Sequence, residues 1–155
     1  MIRKITVCML LLGTFVSVPA LAQGPLVRFD GGIGNQPLRG GSAANVVQGV
    51  NPAGTPWVIE RLSVDVMTDG RISIDGRGLL LAGGNGIGTN GGQSVGARLF
   101  CGTVPHNSIL VPLQSNGDFR IDDILTPLPP NPCENPVLLI VNAGGSWFAA
   151  AIPRQ

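Results

Sequence analysis

Ser115-Asn116-Gly117-Asp118-Phe119-Arg120-Ile121-Asp122 is the stretch whose reading decides the fold. It joins a turn rich in Asn and Gly to a run in which Phe119 and Ile121 alternate with Arg120 and Asp122, the two-residue period of a strand with one buried face. Val111 and Leu113 precede the turn with the same period. A three-residue Ser115-Asn116-Gly117 loop sets Leu113 opposite Phe119 and Val111 opposite Ile121, whereas a one-residue slip sets Leu113 against Arg120. Burial selects the three-residue loop, and Gly117 then falls where a type I turn must be followed by a left-handed residue.

Upstream, Thr68-Asp69-Gly70-Arg71-Ile72-Ser73-Ile74-Asp75 repeats the same order of residue types. The same burial argument gives a Thr68-Asp69-Gly70 loop that pairs Val66 with Ile72 and Val64 with Ile74. An internal duplication with paired sites is one reading of the echo. Turn chemistry shared by unrelated hairpins is the favoured one, because eight residues is short and no longer repeat is visible.

Working outward, Leu26-Val27-Arg28-Phe29 reads as a first strand closed by Asp30-Gly31-Gly32, and Ala43 to Val50 as a second. Pro52 and Pro56 then punctuate the chain, since proline cannot donate to a ladder. Leu62, Val64 and Val66 alternate with Arg61, Ser63 and Asp65, and Val95, Ala97, Leu99 and Cys101 alternate with Gly96, Arg98 and Phe100. Both patterns predict strands with an inner and an outer face. Gly83 to Gly92 reads as a mobile loop, and Thr126 to Pro136, with five prolines, as an extended segment. Val137-Leu138-Leu139-Ile140-Val141 is apolar throughout, the mark of a strand covered on both faces. Trp147 to Ile152 returns as the last strand. Eight or nine strands without a helix predict an all-β fold, an antiparallel two-sheet β-sandwich that is immunoglobulin-like in the broad sense, with a small β-barrel as the alternative.

The N-terminus carries Arg3 and Lys4, an apolar run from Ile5 to Val18 and Ala20-Leu21-Ala22 before Gln23, the pattern of a secretory signal peptide. Residues 1–22 are therefore expected to be removed, leaving residues 23–155 as a single secreted or periplasmic β domain with no membrane span. Loss of Arg3 and Lys4 turns the formal charge of +1 into −1, with no lysine left. Such a surface lacks the concentrated positive field that nucleic acid or an anionic membrane requires. Cys101 and Cys133 are then the remaining cysteines, and in an oxidising compartment they are expected to pair. Closing that loop would stabilise the fold by about 3.5 kcal/mol in the chain-entropy account.

Few residues suggest chemistry. Gly86-Ile87-Gly88-Thr89-Asn90-Gly91 has G-x-G-x-x-G spacing but leads into a strand, where no helix N-terminus can receive a pyrophosphate. His106, the single histidine, is expected on a solvated loop; a Ser/His/Asp site built with Ser108 or Ser115 and Asp122 or Asp123 lacks a nucleophile elbow. One His and two paired cysteines cannot supply the usual zinc set. Asp122 and Asp123 are neighbours on a strand and point to opposite faces, so they cannot act on one bond. Trp57, Trp147 and Phe148 are expected to fill the core ahead of forming a ligand platform.

The sequence therefore points to a non-enzymatic binding or structural module without cofactor or metal, recognising an extracellular or periplasmic ligand or protein. Its candidate ligand residues are Asn85, Thr89 and Asn90 in the glycine-rich loop and His106 and Asn107 in the next one. A small secreted hydrolase using His106, and a surface protein assembling through an unpaired edge strand, are the alternatives.

Overall fold

The computed structural model describes residues 23–37 and 45–154; the expected signal peptide, and the first two residues of the expected strand at 43–50, lie outside them. Among the described residues there are eleven strands and no helix, hence no helix long and apolar enough to cross a membrane. The strands are β1 (Pro25–Gly34), β2 (Trp57–Val58), β3 (Arg61–Met67), β4 (Arg71–Arg77), β5 (Leu80–Leu81), β6 (Ser94–Cys101), β7 (Val104–Asn107), β8 (Val111–Pro112), β9 (Phe119–Ile124), β10 (Val137–Asn142) and β11 (Trp147–Pro153).

Nine of them join one antiparallel sheet in the order β7-β6-β10-β11-β1-β3-β4-β9, with β8 also on β6; β2 and β5 form a small second sheet. The fold is thus all-β as expected. The strands follow a single hydrogen-bonded path, so the sandwich of two separate sheets is not confirmed. The large sheet is curled, which fits the barrel alternative. Its two ends approach each other where Asn107, at the end of β7, exchanges both backbone hydrogen bonds with Thr126, just beyond β9, at 2.8 and 2.9 Å.

The first hairpin has the register that burial demands: Val66 pairs with Ile72 and Val64 with Ile74, and Gly70 adopts φ 82°. The turn at Ser115 also forms with the expected three residues, closed by bonds from Gly117 N to Gln114 O and from Gln114 N to Asp118 O, both 2.9 Å, with Gly117 at φ 81°. The hairpin beyond it does not. Val111 pairs with Val95 of β6, and Ile121 pairs with Ile74 of β4. Leu113 and Phe119 still face the core, but Pro112 removes a donor that a β8–β9 ladder would use, while β4 offers β9 a full row of partners.

Two other expectations are corrected. Asp30-Gly31-Gly32 does not close the first strand; a bulge with Gly31 at φ 92° lets β1 switch from pairing β3 to pairing β11 and continue to Gly34. The described part of the second expected strand is a tight turn bridged between Val47 and Val50. The stretch from Gly83 to Gly92 is a loop, as expected, and is built of hydrogen-bonded turns tied to Leu81 through bonds to Thr89 O and from Gly88 N.

The main core lies inside the curl and takes Leu62, Val64, Val66, Ile72, Ile74, Val95, Ala97, Leu99, Phe119 and Ile121 from the inward positions of the strands. β10 is buried on both sides, as its apolar run requires. Leu138 and Ile140 enter the main core, whereas Leu139 and Val141 join Trp147, Phe100 and Val50 in a second cluster on the outer face. Trp147 donates its indole N–H to Asn45 O at 3.0 Å, holding the 45–53 segment over that face. Cys101 and Cys133 form the expected disulfide, with Cα atoms 4.8 Å apart, tying the proline-rich segment to β6.

Candidate functional site

The inward positions of β3 and β4, and of β9 as far as Ile121, are apolar. With Asp123, at the end of β9, as the exception, the pleat therefore sends the polar residues that alternate with them to the outer face. There Arg61, Ser63 and Asp65 of β3 lie beside Arg71, Ser73, Asp75 and Arg77 of β4, and these beside Arg120 and Asp122 of β9. Asp75 is the hub. Its Oδ1 accepts from Arg77 Nε at 2.7 Å, and its Oδ2 from Arg77 Nη2 at 3.1 Å and Arg120 Nη2 at 2.7 Å. Arg77, and then Arg120, hold the Asp75 carboxyl far below the usual carboxylate range, and Asp75 in turn raises the guanidinium of Arg77.

Asp118 reaches over from the Ser115 turn. One carboxylate oxygen accepts from Gly78 N at 3.1 Å, and the other lies 3.4 Å from Arg77 Nη1 and accepts from Asn116 Nδ2 at 3.0 Å. The turn is pressed onto the sheet because Leu79 N donates to Gly117 O at 2.9 Å. Together Glu60, Arg61, Ser63, Asp75, Arg77, Asn116 and Asp118 line an open groove of about 690 Å³.

A second crevice of about 280 Å³ adjoins it and shares Arg61 and Ser63, with Arg28, Asp30, Asp65 and Arg154 on its other side. Arg28 Nε lies 2.7 Å from Asp65 Oδ1, and Arg154 is anchored beside them by a bond from its backbone N to Arg28 O at 2.9 Å. The result is a polar, concave band across β1, β3 and β4 whose arginines and aspartates are mostly fixed by one another. Such side chains can hydrogen-bond a polar ligand without first being ordered.

The residues singled out in the sequence lie elsewhere and are not brought together. Asn90 is structural: its Nδ2 donates to Leu113 O and Gln114 O at 3.1 and 3.0 Å, and its Oδ1 accepts from Gly92 N at 3.0 Å. Thr89 Oγ1 donates to Gly86 O within the same loop, at 2.7 Å, and Asn85 is exposed at its tip. Asn107 accepts from Arg98 Nε at 2.8 Å. Arg98 lies four residues along β6 from Ser94, where the glycine-rich loop enters the strand, a separation of about 13 Å. The crevice nearest that loop, lined by Trp57, Phe148, Gly91, Gln93 and Asn142, contains none of the five.

His106 is not on a solvated loop. It lies on β7 opposite Leu99 and is 2% exposed, with Nδ1 2.7 Å from Pro127 O and Nε2 buried without a partner. Ser108 Oγ donates to Ile109 O and accepts from Ala97 N, both at 2.8 Å, and Asp123 accepts from Ile109 N at 2.7 Å. Asp122 points outward and accepts from Ser73 Oγ at 2.7 Å. Trp57 and Phe148 stack with centroids 4.0 Å apart, buried in the core with Trp147 in the outer cluster. Among the described residues no three His, Cys, Asp or Glu side chains converge as metal ligands would.

The polar band escaped sequence reading because each of its residues, taken singly, is an ordinary outward position. The available signal was the recurrence of Arg, Ser and Asp at alternate positions of three strands. Comparison of the chain with protein-family models, with curated proteins and with solved structures found no match.

Proposed function

We propose that this chain is an exported, non-catalytic binding module, secreted or periplasmic, which uses its curled sheet as a small barrel-like scaffold and binds its ligand on the polar face of β1, β3 and β4. The observation that carries this reading is the pair of adjoining crevices sharing Arg61 and Ser63. Their walls offer carboxylate and amide acceptors beside guanidinium donors, which suits a polar ligand bound by many hydrogen bonds. The disulfide supports export, since such bonds persist in oxidising compartments. The enclosure of His106 and the engagement of Ser108 by backbone groups support a binding role over hydrolysis, because a general base must reach the proton it abstracts.

The test is a nuclear magnetic resonance titration of the ¹⁵N-labelled protein with a panel of neutral and acidic oligosaccharides. Shifts confined to residues 60–65, 73–78 and 116–120, and abolished by Arg61→Ala, are expected. Shifts confined to residues 83–92 and 104–108 would move the binding surface to the glycine-rich loop and β7 and refute the proposal.

A further inference from the structure

Among the described arginines, Arg28, Arg71, Arg77 and Arg120 each have a carboxylate at 2.7 Å, and Arg98 is bonded to Asn107. Arg61 and Arg154 have no ion pair among the described residues, and both are exposed and line the crevice of about 280 Å³. Arg61 also stands directly opposite Arg77 in the β3–β4 ladder, but Arg77 is already engaged by Asp75 and Asp118, so Arg61 is the guanidinium of that rung with no carboxylate beside it among the described residues. Asp65, on the crevice wall, is already engaged by Arg28, and three arginines against two aspartates leave the crevice with a net positive charge. Ser63 adds a hydroxyl between the two concavities.

The adjoining groove has the opposite character. Glu60, Asp75 and Asp118 bring three carboxylates to it against the guanidiniums of Arg61 and Arg77, a net charge of −1, with Asn116 beside them. That wall repels a second anion and accepts hydrogen bonds from hydroxyl groups. A ligand spanning both concavities must therefore carry a single anionic group at one end and uncharged hydroxyls next to it, which disfavours polyphosphates and densely sulfated chains. Building on the binding surface proposed above, we infer that Arg61 and Arg154 form an oxyanion subsite for the carboxylate of an acidic saccharide, a uronate, whose neighbouring sugar hydroxyls lie in the Glu60–Asp118 groove. Guanidinium groups suit this role because their fork of donors matches a carboxylate.

The experiment compares a short oligogalacturonate with the uncharged galactose oligomer of equal length, by calorimetry at low ionic strength, on the wild-type protein and on Arg61→Ala, Arg154→Ala and Arg154→Lys. The uronate should bind at least tenfold more tightly than the neutral oligomer. Arg154→Ala should bring the affinity for the uronate down to that for the neutral oligomer and leave the melting temperature unchanged because the side chain is exposed; Arg154→Lys should retain part of the preference. Equal binding of the two oligomers at residues 60–78 would overturn the oxyanion subsite and leave the binding surface standing. A uronate preference that survives both alanine variants, tighter binding of an oligoglutamate peptide than of the uronate, or binding of neither saccharide would each overturn the inference.

Discussion

Ile74 and Ile121 face each other across the β4–β9 ladder, and each is the seventh residue of its copy of the repeated octapeptide. The two copies are thus related by a local two-fold axis through this pair. The relation extends to the outer face, where the sixth residue of each copy donates to the eighth of the other: Ser73 Oγ to Asp122 Oδ1 and Arg120 Nη2 to Asp75 Oδ2, both at 2.7 Å. It extends also to the turns, which lie at opposite ends of the pair with Gly70 and Gly117 at φ 82° and 81°. The echo in the sequence is therefore a contact in the fold, and it builds one wall of the candidate site.

The two turn glycines are equivalent in backbone conformation but not in surroundings. A Cβ at Gly117 would meet the backbone N and O of Leu79 at 2.6 Å, whereas one at Gly70 would meet the end of the Leu128 side chain, which is exposed and can move. Left-handed strain alone costs about 1 kcal/mol for alanine. Gly117→Ala should therefore destabilise by more than that, and by more than Gly70→Ala, in urea unfolding. Equal losses would show that the Ser115 turn is not pressed against Leu79.

Phe119 lies over Gly76, its partner in the ladder, so that any Cβ at position 76 would run into the aromatic ring. Gly76→Ala should cost about 1–3 kcal/mol through overpacking. The loss should shrink when Phe119→Leu is added, because the smaller side chain frees the space, and a double-mutant cycle measures that coupling. Additive losses would place the ring elsewhere.

Much of the scaffold was legible because burial acts on single residues with a period of two. Val64, Val66, Ile72 and Ile74 each lose roughly 1.5–3 kcal/mol if turned outward, which is enough to fix the β3–β4 register from the pattern alone. The doubly covered β10 run and the Cys101–Cys133 pairing were legible for similarly local reasons. Partner choice between distant strands was not. Val111 and Ile121 are inward or half-buried in either arrangement, so nothing local says that one pairs with β6 and the other with β4. His106 illustrates the same limit: a polar residue between Pro105 and Asn107 reads as a loop, and only the neighbouring Pro127 carbonyl and Leu99 strand bury it. The candidate site depends on strand order throughout, since Arg61, Asp118 and Arg154 come from three distant parts of the chain.

The Asp75 hub predicts an acid-side signature. Its carboxyl is depressed below the ordinary value of 3.8 by Arg77 and Arg120, so the folded state holds its proton less tightly than the unfolded one. The stabilisation is complete above pH 3.8 and is lost as pH falls below it toward the folded value. The Asp75→Asn variant should be the less stable at pH 7, and the two urea midpoints should converge as pH is lowered from 4 to 2. Because the side chain is about one-third exposed, added salt should narrow the difference at neutral pH. Parallel midpoint curves would show that the pairs do not form in solution.

His106 sets a prediction about proton position. A carbonyl oxygen only accepts, so the 2.7 Å contact to Pro127 O requires the hydrogen on Nδ1. In the neutral ring Nε2 then carries a lone pair, and that atom is buried without a donor. Long-range ¹H–¹⁵N spectra of the neutral ring should show a protonated Nδ1 and an unprotonated Nε2. His106→Ala should destabilise by about 1–3 kcal/mol through the unpaired Pro127 carbonyl, with no effect on the saccharide binding proposed for the β3–β4 face. A spectrum dominated by the Nε2–H form would break the Pro127 contact, and loss of binding in His106→Ala, with the fold retained, would move the ligand site to the β7 edge of the sheet.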